Sequence, residues 1–249
     1  ELNKRRPGQS KVSTPRNEKD KLKILTGVFN GKSTGMPICM IIENKDQDSS
    51  KYESIKDIFR PGTADYTFQK KYNIRDYRGS GRASGRETAA RVMGGAIAKN
   101  ILNEKGIEVI AHTVQVGSII AKECDYNEID KNIVRCADKT IAKDMEKIIS
   151  EVKQSGDSVG GAVQLVIKGL PAGVGDPVFG KLNARLGAAL LSIGGVKAIE
   201  FGAGFEAASM LGSENNDPMQ NGEFIKNDAG GILGGISTGQ DINIKIGIK

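Results

Sequence analysis

Isoleucines at positions 242, 244, 246 and 248 alternate without interruption with polar residues and a glycine. That period of two marks a β-strand with one buried face. Similar alternation or apolar clustering predicts strands over Lys21–Gly27, Met36–Glu43, Ile107–Val116, Gly160–Leu170 and Val196–Phe201. Gly31 to Gly35 supplies a hairpin turn between the first two. Three stretches instead carry the helical period. From Gly85 to about Lys105, Ala89, Val92, Met93, Ala96, Ile97 and Ile101 share a broad face. From Ala137 to Lys153, Ile141, Met145, Ile148 and Val152 form a stripe. From Gly180 to Ile193, Leu182, Leu186, Ala189 and Leu190 do the same. Lys4-Arg5-Arg6 reads as the end of a polar helix stopped by Pro7-Gly8. Gly106 and Gly194-Gly195 are natural stops for the helices before them.

Glycine placement adds detail. Gly94-Gly95 lies inside the first long helix, where each glycine costs about 1 kcal/mol against alanine. A close helix-on-helix or helix-on-sheet approach would explain that cost. Asn227 to Gly239 holds five glycines, which suits backbone held against a ligand or a tight turn between strands. Polar loops are expected over Gln47–Lys51 and Gly202–Asn227, and Pro61-Gly62 marks a turn. Mixed helices and strands with hairpins, and no solenoid-type repeat, argue an α+β fold rather than a doubly wound sheet.

Composition narrows the class. The 249 residues suffice for one large or two small domains. No run approaches a membrane span, and no signal peptide is visible. Cys39, Cys124 and Cys136 are odd in number and widely spaced, which argues against a disulfide framework or a zinc site and fits a reducing cytoplasm. The net charge is +6. Between Arg60 and Arg91 the bases Arg60, Lys70, Lys71, Arg75, Arg78, Arg82, Arg86 and Arg91 face only Asp65, Asp76 and Glu87, so one anion-binding pocket or patch is expected rather than a uniformly basic surface.

The most informative stretch is Tyr77–Lys99. Arg78-Gly79-Ser80-Gly81-Arg82-Ala83-Ser84 is a glycine-rich basic loop, and it runs into the first long helix. Ser84 and Glu87 have capping-box spacing, in which the Ser oxygen takes the amide of Glu87 and the Glu reaches back to the amide of Ser84. A helix N-terminus flanked by Arg78, Arg82 and Arg86 suits a phosphate. Capping boxes also begin many ordinary helices, and Gly-Arg loops are often solvated turns.

The whole stretch resembles the chorismate synthase family, whose signature is a Gly-Arg-Ser/Ala-Ser-Ala/Gly-Arg-Glu-Thr run entering an Ala/Gly-rich helix. Arg5-Arg6-Pro7-Gly8-Gln9-Ser10, Ile42-Glu43-Asn44, Arg60-Pro61-Gly62, Ala64-Asp65-Tyr66, Lys71-Tyr72 and Arg75-Asp76-Tyr77-Arg78-Gly79 are similar to family landmarks in family order. So are Gly156-Asp157-Ser158, Pro171-Ala172-Gly173, Asp176-Pro177-Val178-Phe179 and Ala229-Gly230-Gly231-Ile232-Leu233-Gly234-Gly235-Ile236-Ser237. The likeness covers essentially the whole chain. It implies a single domain of long helices sandwiched between two antiparallel sheets, cytoplasmic and assembling as a homotetramer.

The resemblance also implies a reaction. Chorismate synthases eliminate phosphate and a ring hydrogen from 5-enolpyruvylshikimate-3-phosphate, a 1,4-elimination in the shikimate pathway of aromatic amino acid biosynthesis. They require reduced FMN without net redox, and NADPH is a candidate reductant. A substrate with two carboxylates and a phosphate asks for fixed guanidiniums. By this likeness Arg5 and Arg60 face substrate or pyridine nucleotide. Lys11 stands where the family has a second arginine and keeps the charge without the bidentate fork. Arg82, Ala83 and Ser84 match a flavin-contacting triplet. Gly194 and Gly195 match a flavin-contacting pair that usually carries a side chain. Gly234 matches a flavin-contacting glycine, and Lys249 matches the first residue of a flavin-phosphate segment. His112, the only histidine, matches no family catalytic position and is expected to be structural.

Three departures accompany the likeness. The family's Gly-Glu-Ser-His-Gly segment would lie upstream of Glu1, and its Lys-Pro-Thr and Arg-His-Asp-Pro segments beyond Lys249. Thr63 occupies the catalytic histidine position of the Arg-Pro-Gly-His-Ala-Asp motif. Threonine cannot serve as an acid near neutral pH, so the chain is expected to be a poor catalyst or none. Rival readings are a non-catalytic family member that binds flavin or substrate, a structural domain whose glycines permit tight packing, and a basic nucleic-acid-binding module. The last is disfavoured because only 5% of residues are aromatic and no stacking platform interleaves the arginines. No membrane partner and no metal are expected.

Overall fold

The computed structural model describes residues 1–14 and 16–249. The chain divides into two compact units, Glu1–Ala98 and Lys99–Lys249.

The first unit opens with α1 (Leu2–Arg5), which ends before Pro7 as the sequence predicts. Strand β1 (Leu22–Thr26) follows. A small hairpin comes next, made of β2 (Val28–Phe29) and β3 (Lys32–Ser33). Its turn is Asn30-Gly31, both at positive φ (48° and 74°), the geometry of a primed two-residue turn that matches strand twist. Gly31 thus lies in the turn itself, and the expected Gly31–Gly35 turn is displaced toward the N-terminus. Strand β4 (Cys39–Ile42) pairs antiparallel with β1. The polar loop runs into a 3₁₀ segment, Ser50–Ile55. Helix α2 (Asp65–Tyr72) is closed by Asn73 in the left-handed conformation, φ 56°. Helix α3 (Thr88–Glu104) then begins, preceded by two short 3₁₀ turns at Gly81–Ala83 and Gly85–Glu87.

Two expectations about α3 fail. The capping box does not form. Because the first turn is 3₁₀, the Ser84 hydroxyl accepts from the Arg86 amide (3.2 Å), two residues on rather than three. The Glu87 carboxylate instead takes Arg91 Nε at 2.9 Å, one helical turn ahead. Nor do Gly94 and Gly95 mark a close approach: among the described residues a Cβ on either would meet nothing within 4 Å.

The second unit is built on a five-stranded antiparallel sheet. Its strands are β5 (Glu108–Val116), β6 (Ile119–Ile120), β7 (Gly161–Lys168), β8 (Val196–Phe201) and, at the chain's end, β13 (Ile242–Ile248), in the order β6-β5-β7-β13-β8. The register explains the isoleucine alternation. Ile242, Ile244 and Ile246 lie opposite Ile167, Leu165 and Val163 on one side, and Ile244 and Ile246 lie opposite Phe201 and Ile199 on the other. These rows form the main apolar core, with Ile242 and Ile244 fully buried. The last strand in sequence is therefore interior to the sheet. Helix α4 (Ala142–Gln154) covers a second cluster around Met145, Cys136 and Val116, and α5 (Leu182–Leu191) packs Leu182, Leu186 and Leu190 on the main core.

Helix α4 starts five residues later than the expected Ala137. Asp138 accounts for this. It is 1% exposed and accepts from the amides of Lys122 (2.9 Å), Glu123 (3.0 Å) and Thr140 (2.9 Å), and from the Thr140 hydroxyl. That local turn competes with helix over 137–141. Between β8 and β13 lie α6 (Gly212–Asn215), a hairpin of β9 (Met219–Gln220) and β10 (Glu223–Phe224), and a second hairpin of β11 (Ile232–Leu233) and β12 (Ile236–Ser237). Of the Asn227–Gly239 glycines, Gly234-Gly235 form the tip of this second hairpin at φ 62° and 91°, while Gly230 lies against Gly202 and Gly231 against Asp241. Among the described residues no helix is long and apolar enough to cross a membrane.

Candidate active site

In the first unit the arginines are sorted by buried carboxylates. Asp65, at the first position of α2, is 3% exposed. Its Oδ1 takes Arg60 Nη2 at 2.8 Å and its Oδ2 takes Arg60 Nε at 2.9 Å, a two-pronged fork. The Arg60 amide adds a third bond at 3.2 Å. Arg75 Nη1 approaches Oδ2 at 3.4 Å. Hydrogen bonding to Arg60 holds the Asp65 carboxyl down to about 2. Arg60 also donates to the Ser80 hydroxyl and lies over the Tyr52 ring, 5.2 Å from its centroid. Arg75 stacks on Phe59 at the same distance, 5.2 Å, and donates to the carbonyls of Lys56 and Ile58.

A second cluster forms around Glu18 and Asp20, both buried. Arg86 bridges them, Nη2 to Glu18 at 3.1 Å and Nη1 to Asp20. Arg16 also pairs with Glu18, and Arg5 reaches Asp20 at 3.4 Å. The rest of the Arg5 guanidinium is engaged at the start of α3, donating to the Thr88 hydroxyl (3.1 and 3.3 Å) and the Gly85 carbonyl (3.2 Å). Three arginines thus meet two buried acids.

The residues singled out from the sequence fall unevenly on this frame. Arg60, Arg5 and Ser84 lie within or beside the ion clusters. Lys11 is exposed. Arg82 stands outside every ion pair among the described residues and lines a cavity of about 610 Å³. The other walls include Phe68, Tyr72, Tyr77, Arg75, Arg78 and Ser80. Ser84 lines a neighbouring, more polar hollow of about 410 Å³ with Arg16, Lys51, Arg78 and Arg86. Ala83 is exposed. Of the three arginines expected to serve the helix N-terminus, Arg86 is committed to Glu18 and Asp20, and Arg78 pairs with Asp76 at 3.1 Å. Arg82 alone remains uncommitted.

Thr63 is exposed, and its hydroxyl works locally. It donates to the Arg60 carbonyl at 3.1 Å and accepts from the Asp65 amide at 3.3 Å, tying the Pro61-Gly62 turn to the start of α2.

In the second unit, Gly195 and Lys249 are brought together. The Lys249 amide donates to the Gly195 carbonyl at 2.9 Å, and its ammonium donates to the Ser158 carbonyl at 2.6 Å. Gly195 has φ 89°, and Gly194 beside it is open, with nothing within 4 Å of a Cβ placed there. Gly234 is at the β11–β12 hairpin tip. His112 lies buried on β5, edge-on to Tyr126 at 5.6 Å, with burial pushing its pKa down.

Sequence reasoning passed over Asp65, Glu18 and Asp20 as site-forming residues. The available signal was Glu18 and Asp20 set two apart, hence on one side of an extended segment, within a basic stretch.

Comparison with known proteins bears on the family and the fold. A family model described as chorismate synthase matches residues 1–249. The chain is 52% identical to a chorismate synthase of Methanosarcina acetivorans, aligning over 100% of this chain and 70% of that protein. It is 50% identical to one from Desulfatibacillum aliphaticivorans, over 100% and 69%. A solved structure titled as a crystal structure of chorismate synthase superposes with a TM-score of 0.78 at 31% identity, covering 93% of this chain and 72% of that one. Together with the α+β fold, these matches show that the chain belongs to the chorismate synthase family.

Proposed function

We propose that this chain binds 5-enolpyruvylshikimate-3-phosphate and reduced FMN, and that its capacity to convert the substrate to chorismate is limited by Thr63. The observation that carries the reading is the arginine set of the first unit. Buried acids orient Arg60, Arg75, Arg5 and Arg86, while Arg82 is left free on the wall of a cavity that also carries aromatic rings. Cations fixed in place beside apolar rings suit a polyanionic ligand with a flat body.

The chemistry divides by residue. Reduced FMN, when bound, lends the electron density that lets phosphate leave without net oxidation. The chain's own residues supply charge and position. Arg60 and Arg82 offset phosphate and carboxylate charge, Ser84 and Ala83 present the turn before α3, and Gly194, Gly195, Gly234 and Lys249 offer backbone and ammonium donors. General acid–base assistance is worth about 10²–10⁴-fold, and the Thr63 hydroxyl, already used in the turn, does not provide it. NADPH as the flavin's reductant, a cytoplasmic location and a homotetramer belong to the same reading, as does a single family domain over 1–249.

The test is anaerobic titration of the chain with 5-enolpyruvylshikimate-3-phosphate in the presence of reduced FMN, followed by a chorismate assay. Saturable binding with little turnover is the expected result. Absence of binding would overturn the reading.

A further inference from the structure

We propose that Asp65 is a positioning residue, which aims the Arg60 guanidinium so that its unbonded edge meets an anionic group of the substrate. The inference rests on the functional reading above and specifies which edge of Arg60 the Asp65 fork leaves for the ligand.

The geometry is directional. Asp65 engages Arg60 through Nε and Nη2, and Nη2 also meets Ser80. Nη1 takes part in none of these bonds. A fork of this kind fixes the guanidinium plane, which a single ion pair does not. The Tyr52 ring, 5.2 Å from the guanidinium carbon, supports one face. The charges do not balance: one carboxylate meets two guanidiniums, Arg60 and Arg75. Exposure is graded in the same direction, with side chains 2% exposed for Asp65, 9% for Arg75 and 22% for Arg60. The uncompensated positive charge therefore reaches solvent through Arg60.

Ser80 is the other fixed point. It holds φ 72°, a conformation that costs free energy for a residue with a side chain and is often retained at functional sites. Ser80 and Arg75 both line the cavity of about 610 Å³, so the cluster borders the space a ligand would enter. An arginine already held in its binding geometry gives up less side-chain entropy when a ligand arrives. Removing Asp65 frees the guanidinium to wander without removing its charge.

The test is equilibrium binding of 5-enolpyruvylshikimate-3-phosphate to the parent chain and to Asp65→Asn, Asp65→Glu, Arg60→Ala and the Arg60→Ala/Asp65→Asn double variant, each checked for its melting transition. Asp65→Asn is expected to weaken binding about tenfold, the scale of one charge-assisted hydrogen bond. Asp65→Glu should recover part of that loss, and Asp65→Asn should add nothing once Arg60 is alanine. A purely structural role would lower the melting temperature and leave the affinity of folded protein unchanged; that result overturns the proposal, as does an equal loss in both backgrounds. If Asp65→Asn does not fold, Arg60→Lys keeps the charge without the fork, and a folded Arg60→Lys that binds like the parent overturns the proposal. A parent chain that fails to bind overturns the functional reading and this role with it, whereas a binding parent and an unaltered Asp65→Asn overturn the role alone.

Discussion

Replacing Asp138 by asparagine should loosen the second unit in a way that depends on pH. The carboxylate accepts from three backbone amides and one hydroxyl while almost fully buried. Asparagine keeps one acceptor oxygen. If that oxygen stays on Thr140, the new amino group faces the Lys122 and Glu123 amides, donor against donor. Two charge-assisted bonds are then lost, each worth about 1.5–3 kcal/mol. Lys122 and Glu123 are exposed, so water can take up part of the loss, and about 2–3 kcal/mol is expected at pH 7. For a unit of this size that is a fall of about 5–10 °C in Tm. The Thr140 hydroxyl and the surrounding amides hold the Asp138 carboxyl well below its ordinary range. A group with a depressed folded-state pKa contributes stability that is full above about pH 4 and is lost as pH falls below it. The gap between parent and Asp138→Asn should therefore shrink by about 1.4 kcal/mol for each pH unit below about 4. Urea unfolding at pH 7, 5 and 3, with amide exchange at residues 122, 123 and 140, reads both effects. A gap that is independent of pH, or below about 0.5 kcal/mol at neutrality, would refute the claim that the ionised carboxylate organises this turn.

Other substitutions probe the remaining features. Thr63→His should raise chorismate formation by about 10²–10⁴-fold, the range of a restored general acid or base; no gain in steady-state turnover would remove position 63 from the chemistry. Gly202→Ala should destabilise the second unit by about 3 kcal/mol or more, because a Cβ at φ 56° would lie 2.0 Å from the Asp228 carbonyl oxygen and 2.4 Å from the Gly230 nitrogen; denaturant unfolding checks it. Gly94→Ala should stabilise α3 by about 1 kcal/mol, since that side of the helix is open; a loss in thermal unfolding would show that another chain presses on this face in solution. Arg86→Met leaves Glu18 and Asp20 buried with weaker partners and should cost the first unit about 3–5 kcal/mol, measurable by urea unfolding.

The legible parts of the fold were those where one period governs a whole element. The isoleucines of β13, the Val196–Phe201 strand and the leucine stripe of α5 all lie in or against one apolar core, so their spacing announces their geometry. The start of α4 was hidden because the expected helix reached back to Ala137, ahead of its apolar stripe at Ile141, into a segment where the Asp138 carboxylate captures the Thr140 amide and hydroxyl before the helix can. Helix α2 was missed because only Asp65 of its eight residues is buried, which leaves no apolar stripe. At the site, the arginines were visible as a local excess of charge. Their sorting was not, because the acids that fix Arg86 and Arg5 lie 68, 66 and 15 positions away. The Ser84-Glu87 spacing misled for a related reason: a 3₁₀ first turn shifts the capped amide by one residue, and Arg91 offers the glutamate a nearer partner.

The central claim is that the arginines of the first unit form a seat for a phosphorylated dicarboxylate. Its most direct test is calorimetric titration of the chain with 5-enolpyruvylshikimate-3-phosphate and reduced FMN under anaerobic conditions, with and without Arg60→Ala. Saturable binding that Arg60→Ala weakens by an order of magnitude or more is the predicted result. Binding that ignores Arg60→Ala, or no binding by the parent chain, would contradict it.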